Sequence, residues 1–519
     1  MHAKNLFNGL FTPERAARVA VLYERREITY DELRHETVLA AEALHALGIG
    51  AGDRVGILLN DSPEFISSFV AIVSLGAIAV PINLALRRED QLFILKDCGA
   101  RTAIIEAKAA ENLFQGAGNE TEVKDLLVVS RDAESVSSIA GVKAQAFDSA
   151  NRSPLNDMFP VLSDAARDAF ILYTSGSTGE PKGAVHRQSD IFYTNETFGS
   201  EVLGLRAGDR LFSSSRLPFA YGLGNGFTFP LLNGLTTILC REKPAPDVVS
   251  RVFKEYRPTI FFGVPVVYSM LLEHHRNGNE LDTSSLRLCV SAGEALPAQL
   301  GEDWQQTFGV EVLDGIGSTE MLHMFMSNHH GDVRYGSSGK LLSGYSARLV
   351  DHEGMPALLG EAGNLWIRGA SAAKRYWQRV ETSAETFVDG WVRTGDLYAT
   401  DADDFWWHMG RSDDCFKPTG QWVSPIEVEN VLLRSEAVRA AAVVEGLDEH
   451  GLSCVCAFVV RGNDSARVEE SLRALCESAL PRFKQPRRYL FVSELPYTAT
   501  GKVQRFKLRE RLRSSEFNL

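Results

Sequence analysis

Short apolar runs alternate with helix-like segments over much of the first 313 residues. Runs rich in β-branched and aromatic residues predict strands at 169–174, 211–215, 236–240, 259–262, 286–291 and 310–313. Residues 27–105 alternate in the same way, with a helix capped by Asp31, a strand at 54–59 and a helix at 63–75. Strands separated by helices predict parallel sheets with helices on their faces, that is, an α/β fold.

The pattern changes after residue 335, where short strands are separated by glycine-bounded turns. Strands predicted at 347–350, 364–368, 391–394 and 405–409 indicate a β subdomain over about 335–410. A polar stretch at 411–414 then precedes a helix, two strands, a helix, a strand and a last helix that ends near Leu512. We therefore predict a large N-terminal domain, 1–411, and a small α+β C-terminal domain, 412–519.

Composition and charge narrow the function classes. The chain has 519 residues, of which 45% are hydrophobic and 23% charged, as in ordinary globular proteins. The net charge of −13 repels phosphate backbones, so a dedicated nucleic-acid binder is not expected. Residues 482–513 carry ten Lys or Arg, and this run either serves a small polyphosphate or is the solvated face of a helix.

Targeting signals and cysteine spacing indicate the compartment. The longest apolar stretch, 69–86, is interrupted by Ser74, Gly76, Pro81 and Asn83, so it predicts a buried helix followed by a strand and not a membrane span. The start of the chain lacks a secretion signal. The seven cysteines are scattered without metal-site spacing, which favours a reducing compartment. We expect a cytoplasmic protein without membrane partners.

A glycine- and hydroxyl-rich loop, YTSGSTGEPKG at 173–183, follows directly on a predicted strand. Its glycines let backbone N–H groups approach an anion, its hydroxyls add donors, and its lysine adds a mobile positive charge. It is not a Walker loop, because Pro181 precedes the lysine and Gly183 follows it. We interpret it as a phosphate-binding loop. Its candidate nucleotide-binding residues are Thr174, Ser175, Gly176, Ser177, Thr178, Gly179 and Lys182.

This loop resembles the phosphate-loop signature of the adenylate-forming enzymes, the superfamily of acyl- and aryl-CoA ligases, carrier-protein adenylation domains and firefly luciferase. Further segments resemble the signatures of the same superfamily, in its order and over nearly the whole chain. They are SAGEALP at 291–297, DGIGSTE at 314–320, WVRTGD at 391–396, GRSDD at 410–414 and PYTATGK at 496–502.

The resemblance implies roles in phosphate and metal binding. Thr319 would contact phosphate, and Glu320 would help to hold Mg²⁺, a cation that takes carboxylate and phosphate oxygens. Lys502, on a mobile C-terminal loop, would be the principal catalytic residue, since its ammonium stabilises two anions that are brought together. The other implied nucleotide-binding residues are Gly293, Glu294, Ala295, Asp314, Gly315, Ile316, Gly317, Asp396 for the ribose, and Arg411. Asp413 would be the hinge.

Two segments, LPFAYGLGN at 217–225 and GSTEMLHM at 317–324, resemble the benzoate-CoA ligase branch, which encloses a flat ring. The branch usually has an aliphatic branched residue at the position of Met324, which leaves the accepted ring substituents open. His323 is either a polar contact for a substituent or a satisfied structural imidazole. The implied aryl-acid pocket consists of Ala220, Tyr221, Phe229, Leu322, His323 and Met324.

Two C-terminal segments resemble the coenzyme A site of aryl-CoA ligases. PRFKQPR at 481–487 would meet the adenosine end through Phe483 and Arg487, although Gln485 stands where a basic residue is usual. FKPTGQWVSP at 416–425 would form the pantetheine tunnel, with Gly420 leaving room for the arm. Pro418 is unusual there, because it removes a backbone donor.

The fold implied by the resemblance has layered, mostly parallel sheets flanked by helices, a β subdomain and a mobile C-terminal domain. The implied function is that of a two-step ligase. ATP and an aromatic carboxylate give aryl-AMP and pyrophosphate, and CoA then gives aryl-CoA and AMP, with Mg²⁺ as cofactor and a homodimer as a possible assembly. The alternatives are an adenylation enzyme that loads a carrier protein, a luciferase-type oxygenase and a non-catalytic nucleotide-binding protein.

Overall fold

The computed structural model describes residues 5–513 except 116–119, 131–137, 156–158, 161–166, 175–179, 352, 413, 417, 419–420, 422, 449–450, 463–466 and 498–502. Within these residues the α-helices are α1 Leu6–Leu10, α2 Tyr30–Ala46, α3 Pro63–Ser74, α4 Arg88–Cys98, α5 Ala107–Phe114, α6 Gln188–Thr194, α7 Ala220–Leu223, α8 Phe229–Leu232, α9 Pro246–Tyr256, α10 Pro265–Arg276, α11 Ala298–Phe308, α12 Val380–Thr386, α13 Pro425–Leu432, α14 Val468–Ala479 and α15 Arg505–Arg513.

The strands in the same part of the chain are β1 Val19–Tyr23, β2 Arg26–Thr29, β3 Arg54–Leu58, β4 Ile78–Pro81, β5 Thr102–Glu106, β6 Asp125–Val129, β7 Ser138–Ile139, β8 Val142–Ala146, β9 Phe170–Thr174, β10 Lys182–His186, β11 Arg210–Ser213, β12 Thr236–Ile238, β13 Ile260–Gly263, β14 Leu288–Ser291, β15 Val312–Gly317, β16 Met324–Ser327, β17 Lys340–Leu341, β18 Ser346–Val350, β19 Gly363–Arg368, β20 Phe387–Val388, β21 Trp391–Thr400, β22 Trp406–Arg411, β23 Val438–Leu447, β24 Ser453–Arg461 and β25 Arg488–Val492.

Two large sheets, each with a parallel centre, form the main body of the protein. One has the order β17-β16-β15-β14-β13-β11-β12-β1-β2, with parallel pairing from β15 through to β1. The other has the order β10-β9-β4-β3-β5-β6-β8-β7, parallel from β9 to β8. Antiparallel strands close their edges. Three of the functional segments predicted above, YTSGSTGEPKG, SAGEALP and DGIGSTE, begin at the ends of strands β9, β14 and β15 or within them.

Helix α3 lies in the core between the two sheets, and nearly all of its side chains are buried. One continuous cluster joins its Phe65 and Phe69 to Val21 of the first sheet and to Ile57 and Phe170 of the second. A helix that is apolar on all sides must be covered on all sides, and a position between two sheets satisfies this requirement. Residues 69–86 are therefore a buried helix and strand, as predicted.

The remaining sheets are smaller. Strands β18, β19, β21, β20 and β22 form an antiparallel sheet. The C-terminal part contains β23, β24 and β25, with α13, α14 and α15 in the predicted order of helices and strands. Cys454 and Cys456 are buried on one face of β24 with their sulfurs 3.8 Å apart, as the alternation indicated.

The α/β class, the parallel sheets and the β subdomain are confirmed, while one local prediction, the cap of α2, was wrong. Helix α2 is capped by Thr29, whose hydroxyl accepts from the Glu32 N–H while the Glu32 carboxylate accepts from the Thr29 N–H. Asp31 lies inside its first turn. A strand, β10, also intervenes between the phosphate loop and α6. Of the helices described, none combines the length and apolarity that crossing a membrane requires.

Candidate active site

Strands β9 and β10 flank the predicted phosphate loop. Strands β9 and β10 pair antiparallel with Thr174 opposite Lys182, so the chain enters and leaves the loop at adjacent points of the sheet. Both residues are partly exposed there. The loop residues Ser175, Gly176, Ser177, Thr178 and Gly179 lie outside the described residues.

Lys182, Tyr376 and Glu320 come together although they are far apart in sequence. The Lys182 ammonium lies 5.7 Å from the centre of the Tyr376 ring. The Tyr376 hydroxyl donates to Glu320 Oε1 at 2.6 Å. Burial, and then the nearby Glu320, raise the pKa of Tyr376, so its hydroxyl keeps its proton and acts as a donor. The arrangement fixes one carboxylate oxygen of Glu320.

We expect Tyr376→Phe to lower the rate of nucleotide chemistry. It removes a hydrogen bond to a charged carboxylate, typically about 1.5–3 kcal/mol, or roughly 10- to 100-fold in kcat/KM for ATP. The measurement is initial-rate kinetics of pyrophosphate release. Tyr256→Phe is the matched control, because the Tyr256 hydroxyl accepts from the Arg25 N–H on the surface. Equal rates for the two variants would contradict the role of Tyr376.

The DGIG segment is the end of β15, where it pairs with β16. Gly317 lies opposite Met324, and Gly315 lies opposite Ser327. A Cβ atom at Gly315 would meet the Met324 side chain and the Met326 carbonyl, and one at Gly317 would meet the His323 backbone. Because neither glycine has a side chain, β15 and β16 can approach each other closely at these positions. This turn presents Thr319 and Glu320.

Asp314 of β15 lies beside the loop that follows β14. Its Oδ2 accepts from the Leu296 N–H at 3.1 Å, which ties the loop with Gly293, Glu294 and Ala295 to β15. Gly293 has φ +96°, in the region that favours glycine. Burial raises the pKa of Asp314 to about 8. The carboxyl group thus shapes the loop from within the core.

The C-terminal segment reaches this same loop. The Val503 N–H donates to Glu294 Oε1 at 3.0 Å. Lys502 itself lies outside the described residues, but the residue that follows it is bonded to the predicted adenine-side loop. Arg505 anchors the segment by two hydrogen bonds to the carboxylate of Glu429, at 2.9 and 2.8 Å.

The predicted ribose site is on the β subdomain. Asp396 of β21 pairs with Arg411 of β22, whose guanidinium Nη1 lies 3.3 Å from Asp396 Oδ1. His408 Nε2 is 3.7 Å from the same oxygen. Asp396 is thus a partly buried acceptor that has the Arg411 guanidinium as a donor and the His408 imidazole nearby. The predicted hinge, Asp413, lies outside the described residues.

The predicted aryl pocket is an aromatic enclosure around His323. The ring of Tyr221 stacks on His323 at 5.7 Å, and Phe229 meets it edge-on at 4.6 Å. Phe198, which sequence analysis missed, lies 4.8 Å from the same imidazole. Leu322 and Met324 are buried on either side of His323, and Ala220 begins α7 next to Tyr221. The structure brings all six predicted residues to one region.

The imidazole of His323 is buried among these rings. It is 2% exposed, and neither ring nitrogen has a hydrogen-bond partner of good geometry in the described part of the chain. Burial lowers its pKa to about 3, so the ring is neutral. The imidazole fits here because Gly224 has no side chain. A Cβ atom at Gly224 would lie 2.5 Å from His323 Cδ2. A neutral polar group thus lies inside an otherwise apolar pocket.

The predicted CoA residues lie in the C-terminal part. Phe483 packs against the core there, with the Lys484 ammonium 5.6 Å from its ring, and Arg487 pairs with Asp448 at 2.7 Å. Gln485 donates to the Leu480 carbonyl. Gly420 lies outside the described residues.

Sequence analysis did not single out Tyr376, Phe198 or Arg505. Tyr376 follows Lys374 and Arg375, and Phe198 precedes Gly199, but neither residue belongs to a segment that resembles one of the motifs. Arg505 belongs to the basic run, for which a solvated helix was one interpretation; its side chain is only 16% exposed and is paired. Its position three residues after Lys502 was the feature of the sequence that could have indicated a role at the site.

The chain is similar to known proteins over almost its whole length. Residues 12–377 match the AMP-binding enzyme family, and residues 427–502 match the AMP-binding enzyme C-terminal domain. The chain is 40% identical to a benzoate-CoA ligase of Thauera aromatica over 98% of this chain and 94% of the relative.

Two solved structures resemble the whole chain. A crystal structure of an anthranilate CoA ligase in complex with anthranoyl-AMP has a TM-score of 0.91 and 37% identity, covering 99% of this chain and 98% of that one. A benzoate CoA ligase from Burkholderia xenovorans has a TM-score of 0.86 and 36% identity, covering 98% and 100%. The chain belongs to the AMP-binding enzyme family of adenylate-forming ligases.

Proposed function

We propose that the protein is an ATP-dependent aryl-CoA ligase that converts benzoate or a substituted benzoate, through an aryl-adenylate, into aryl-CoA. The main support is the position of the aromatic enclosure. His323, at its centre, is three residues after Glu320 in the same turn. A flat acid held there has its carboxylate directed toward the nucleotide residues. The similarity to benzoate and anthranilate CoA ligases supports the same substrate class.

In the first step, a carboxylate oxygen attacks the α-phosphorus of ATP and pyrophosphate leaves. The nucleotide would lie between the β9–β10 hairpin, Glu320 and Asp396, with the ribose hydroxyls donating to the Asp396 carboxylate. Lys182 and Lys502 would neutralise charge on the phosphates and the attacking acid. No covalent bond to the protein forms, so these residues act by position and charge.

Magnesium would arrive with ATP, and the residues present fit it. In the part of the chain that the structure describes, no three His, Cys, Asp or Glu side chains cluster to form a metal cage. Mg²⁺ usually keeps waters and takes one or two carboxylates together with substrate phosphates. The Glu320 carboxylate, oriented by Tyr376, is such a ligand, and the metal would supply charge neutralisation at the phosphates.

In the second step, the CoA thiol attacks the carbonyl carbon of the adenylate and AMP leaves. We propose that residues 412–519 rotate about Asp413 between the steps, which would withdraw Lys502 and open a thiol channel near Gly420. Phe483 and Arg487 would meet the nucleotide end of CoA. The hydrogen bond from Val503 to Glu294 would break in this rotation, which supports assigning the described conformation to the first step.

The test is a panel of acids assayed for pyrophosphate and thioester formation. Benzoate, hydroxy-, amino- and halobenzoates and a medium-chain fatty acid are each compared with free CoA, with a phosphopantetheinylated carrier protein and with no thiol. We expect the fastest turnover with an aryl acid and free CoA. If a thioester forms only with the carrier protein, the thiol acceptor is a carrier protein and not free CoA. If the fatty acid is the preferred substrate, the assignment to aryl acids is wrong.

A further inference from the structure

The turn that presents Thr319 and Glu320 is held by buried groups from outside the turn. His186, the last residue of β10, has its Nε2 2.8 Å from the Thr319 carbonyl oxygen. The Ala373 N–H donates to the Glu320 carbonyl oxygen at 2.7 Å. Consecutive carbonyls of the turn are therefore fixed by two different segments.

One carboxylate links these two supports. Asp190, on α6, has its Oδ2 3.2 Å from His186 Nδ1, and its Oδ1 accepts from the Arg187 side chain at 2.9 Å. The Arg187 guanidinium also donates to the carbonyls of Ala370 and Ala372, at 2.9 and 3.0 Å. Asp190 thus supports the Thr319 side of the turn through His186, and the Glu320 side through Arg187 and the segment that contains Ala373.

His186 and Asp190 are too enclosed to contact a ligand themselves. The side chains of His186 and Asp190 are fully buried, and the imidazole stacks on Phe170 at 5.3 Å. His186 shares β10 with Lys182, so the same strand carries a predicted phosphate contact at one end and supports the Thr319 carbonyl at the other.

We propose that His186, Arg187 and Asp190 form a positioning brace for the Thr319–Glu320 turn, needed for adenylate formation but not for the thiol step. The proposal rests on the proposed function. The Mg²⁺ that Glu320 would help to hold arrives with ATP and would leave with pyrophosphate, so the turn has less to bind in the second step. A brace that acts only through this turn affects the two half-reactions unequally.

The test uses the full chain and measures both half-reactions separately. Pyrophosphate release with ATP, Mg²⁺ and the preferred aryl acid reports the first step, and consumption of synthetic aryl-adenylate by CoA reports the second. His186→Phe keeps a ring on Phe170 but loses the N–H toward Thr319, and Arg187→Met removes the other arm. We expect both variants to lose roughly 10- to 100-fold in kcat/KM for ATP in the first step. The second step should stay at the wild-type rate.

Two further variants provide a partial rescue and a control. His186→Gln retains a side-chain N–H and should recover part of the first-step activity. His330→Phe is the matched control, because His330 also pairs with a carboxylate, that of Glu311 at 2.6 Å, but is exposed. Equal losses in both half-reactions, or no loss in either, would overturn the brace. If His186→Phe does not fold, Arg187→Met decides by the same criteria.

Direct binding separates failure of the brace from failure of the proposed function. Calorimetry with ATP needs no acid, and the brace predicts weaker ATP binding in His186→Phe and Arg187→Met than in the wild type. A wild type that binds ATP but adenylates no aryl acid would refute the proposed function alone. Unchanged ATP affinity in both variants would refute the brace even if the ligase is active.

Discussion

Replacement of Lys502 by alanine should nearly abolish adenylate formation and leave the thiol step intact. Attack of a carboxylate on a phosphate brings two anions together, and loss of the ammonium that stabilises both costs about 3–4 kcal/mol, roughly 10²- to 10³-fold in kcat. In the second step the CoA thiol attacks a carbonyl carbon, after the proposed rotation has moved Lys502 away. The measurement compares pyrophosphate release with thioester formation from synthetic aryl-adenylate.

Lys507→Ala is the control for this variant, because Lys507 lies in α15 on the same C-terminal segment and is exposed. It should retain both half-reactions. Normal pyrophosphate release by Lys502→Ala would contradict the catalytic role of the lysine. A parallel loss of the thioester step would instead indicate that the substitution disturbs the C-terminal domain as a whole.

Replacement of Arg505 by methionine should destabilise the C-terminal domain strongly. The guanidinium satisfies both oxygens of Glu429, and Glu429 Oε1 also accepts from the Val443 N–H at 2.7 Å. Arg505 Nη1 lies 3.8 Å from Asp414 as well. Loss of one partner leaves a buried charge unpaired, at a cost of about 3–5 kcal/mol in the free energy of unfolding. Urea unfolding, followed by a probe in the C-terminal domain, measures it.

Two comparisons make this result specific. Arg513→Met removes an exposed arginine from the same helix and should change the unfolding free energy by less than about 0.5 kcal/mol. The double variant Glu429→Gln with Arg505→Met should be less destabilised than the sum of its single variants, since the pair is lost only once. An Arg505→Met domain as stable as the wild type would show that water replaces the guanidinium without cost.

The sequence predicted the parts of the fold that follow from local patterns. Apolar runs separated by helices indicated parallel sheets, and the strands at 286–291 and 310–313 appear as the parallel neighbours β14 and β15. Motifs that follow strands, such as SAGEALP and DGIGSTE, therefore come together at one edge. The helix cap was misplaced because Thr29 and Asp31 are both good capping residues, and only the reciprocal bonds with Glu32 distinguish them.

The parts of the site that could not be predicted depend on contacts between distant segments. Tyr376 is 56 residues from Glu320, and His186 is 133 residues from Thr319. No local pattern marks a tyrosine or a histidine that only tertiary packing brings to a turn. The environment of His323 could not be predicted either. Whether a buried imidazole has hydrogen-bond partners depends on the side chains that enclose it, and these come from distant segments. Sequence motifs located the groups assigned to the reaction, and the structure added those that hold them.

Analysis of the products of one reaction tests the proposed ligase most directly. The purified chain is incubated with benzoate, ATP, Mg²⁺ and CoA, and thioester and nucleotide are quantified by mass spectrometry. An aryl-CoA ligase forms benzoyl-CoA and AMP in equal amounts, with neither product when ATP is omitted. Benzoyl-AMP that accumulates without benzoyl-CoA, or ATP that remains intact with every aryl acid tested, would contradict the proposal.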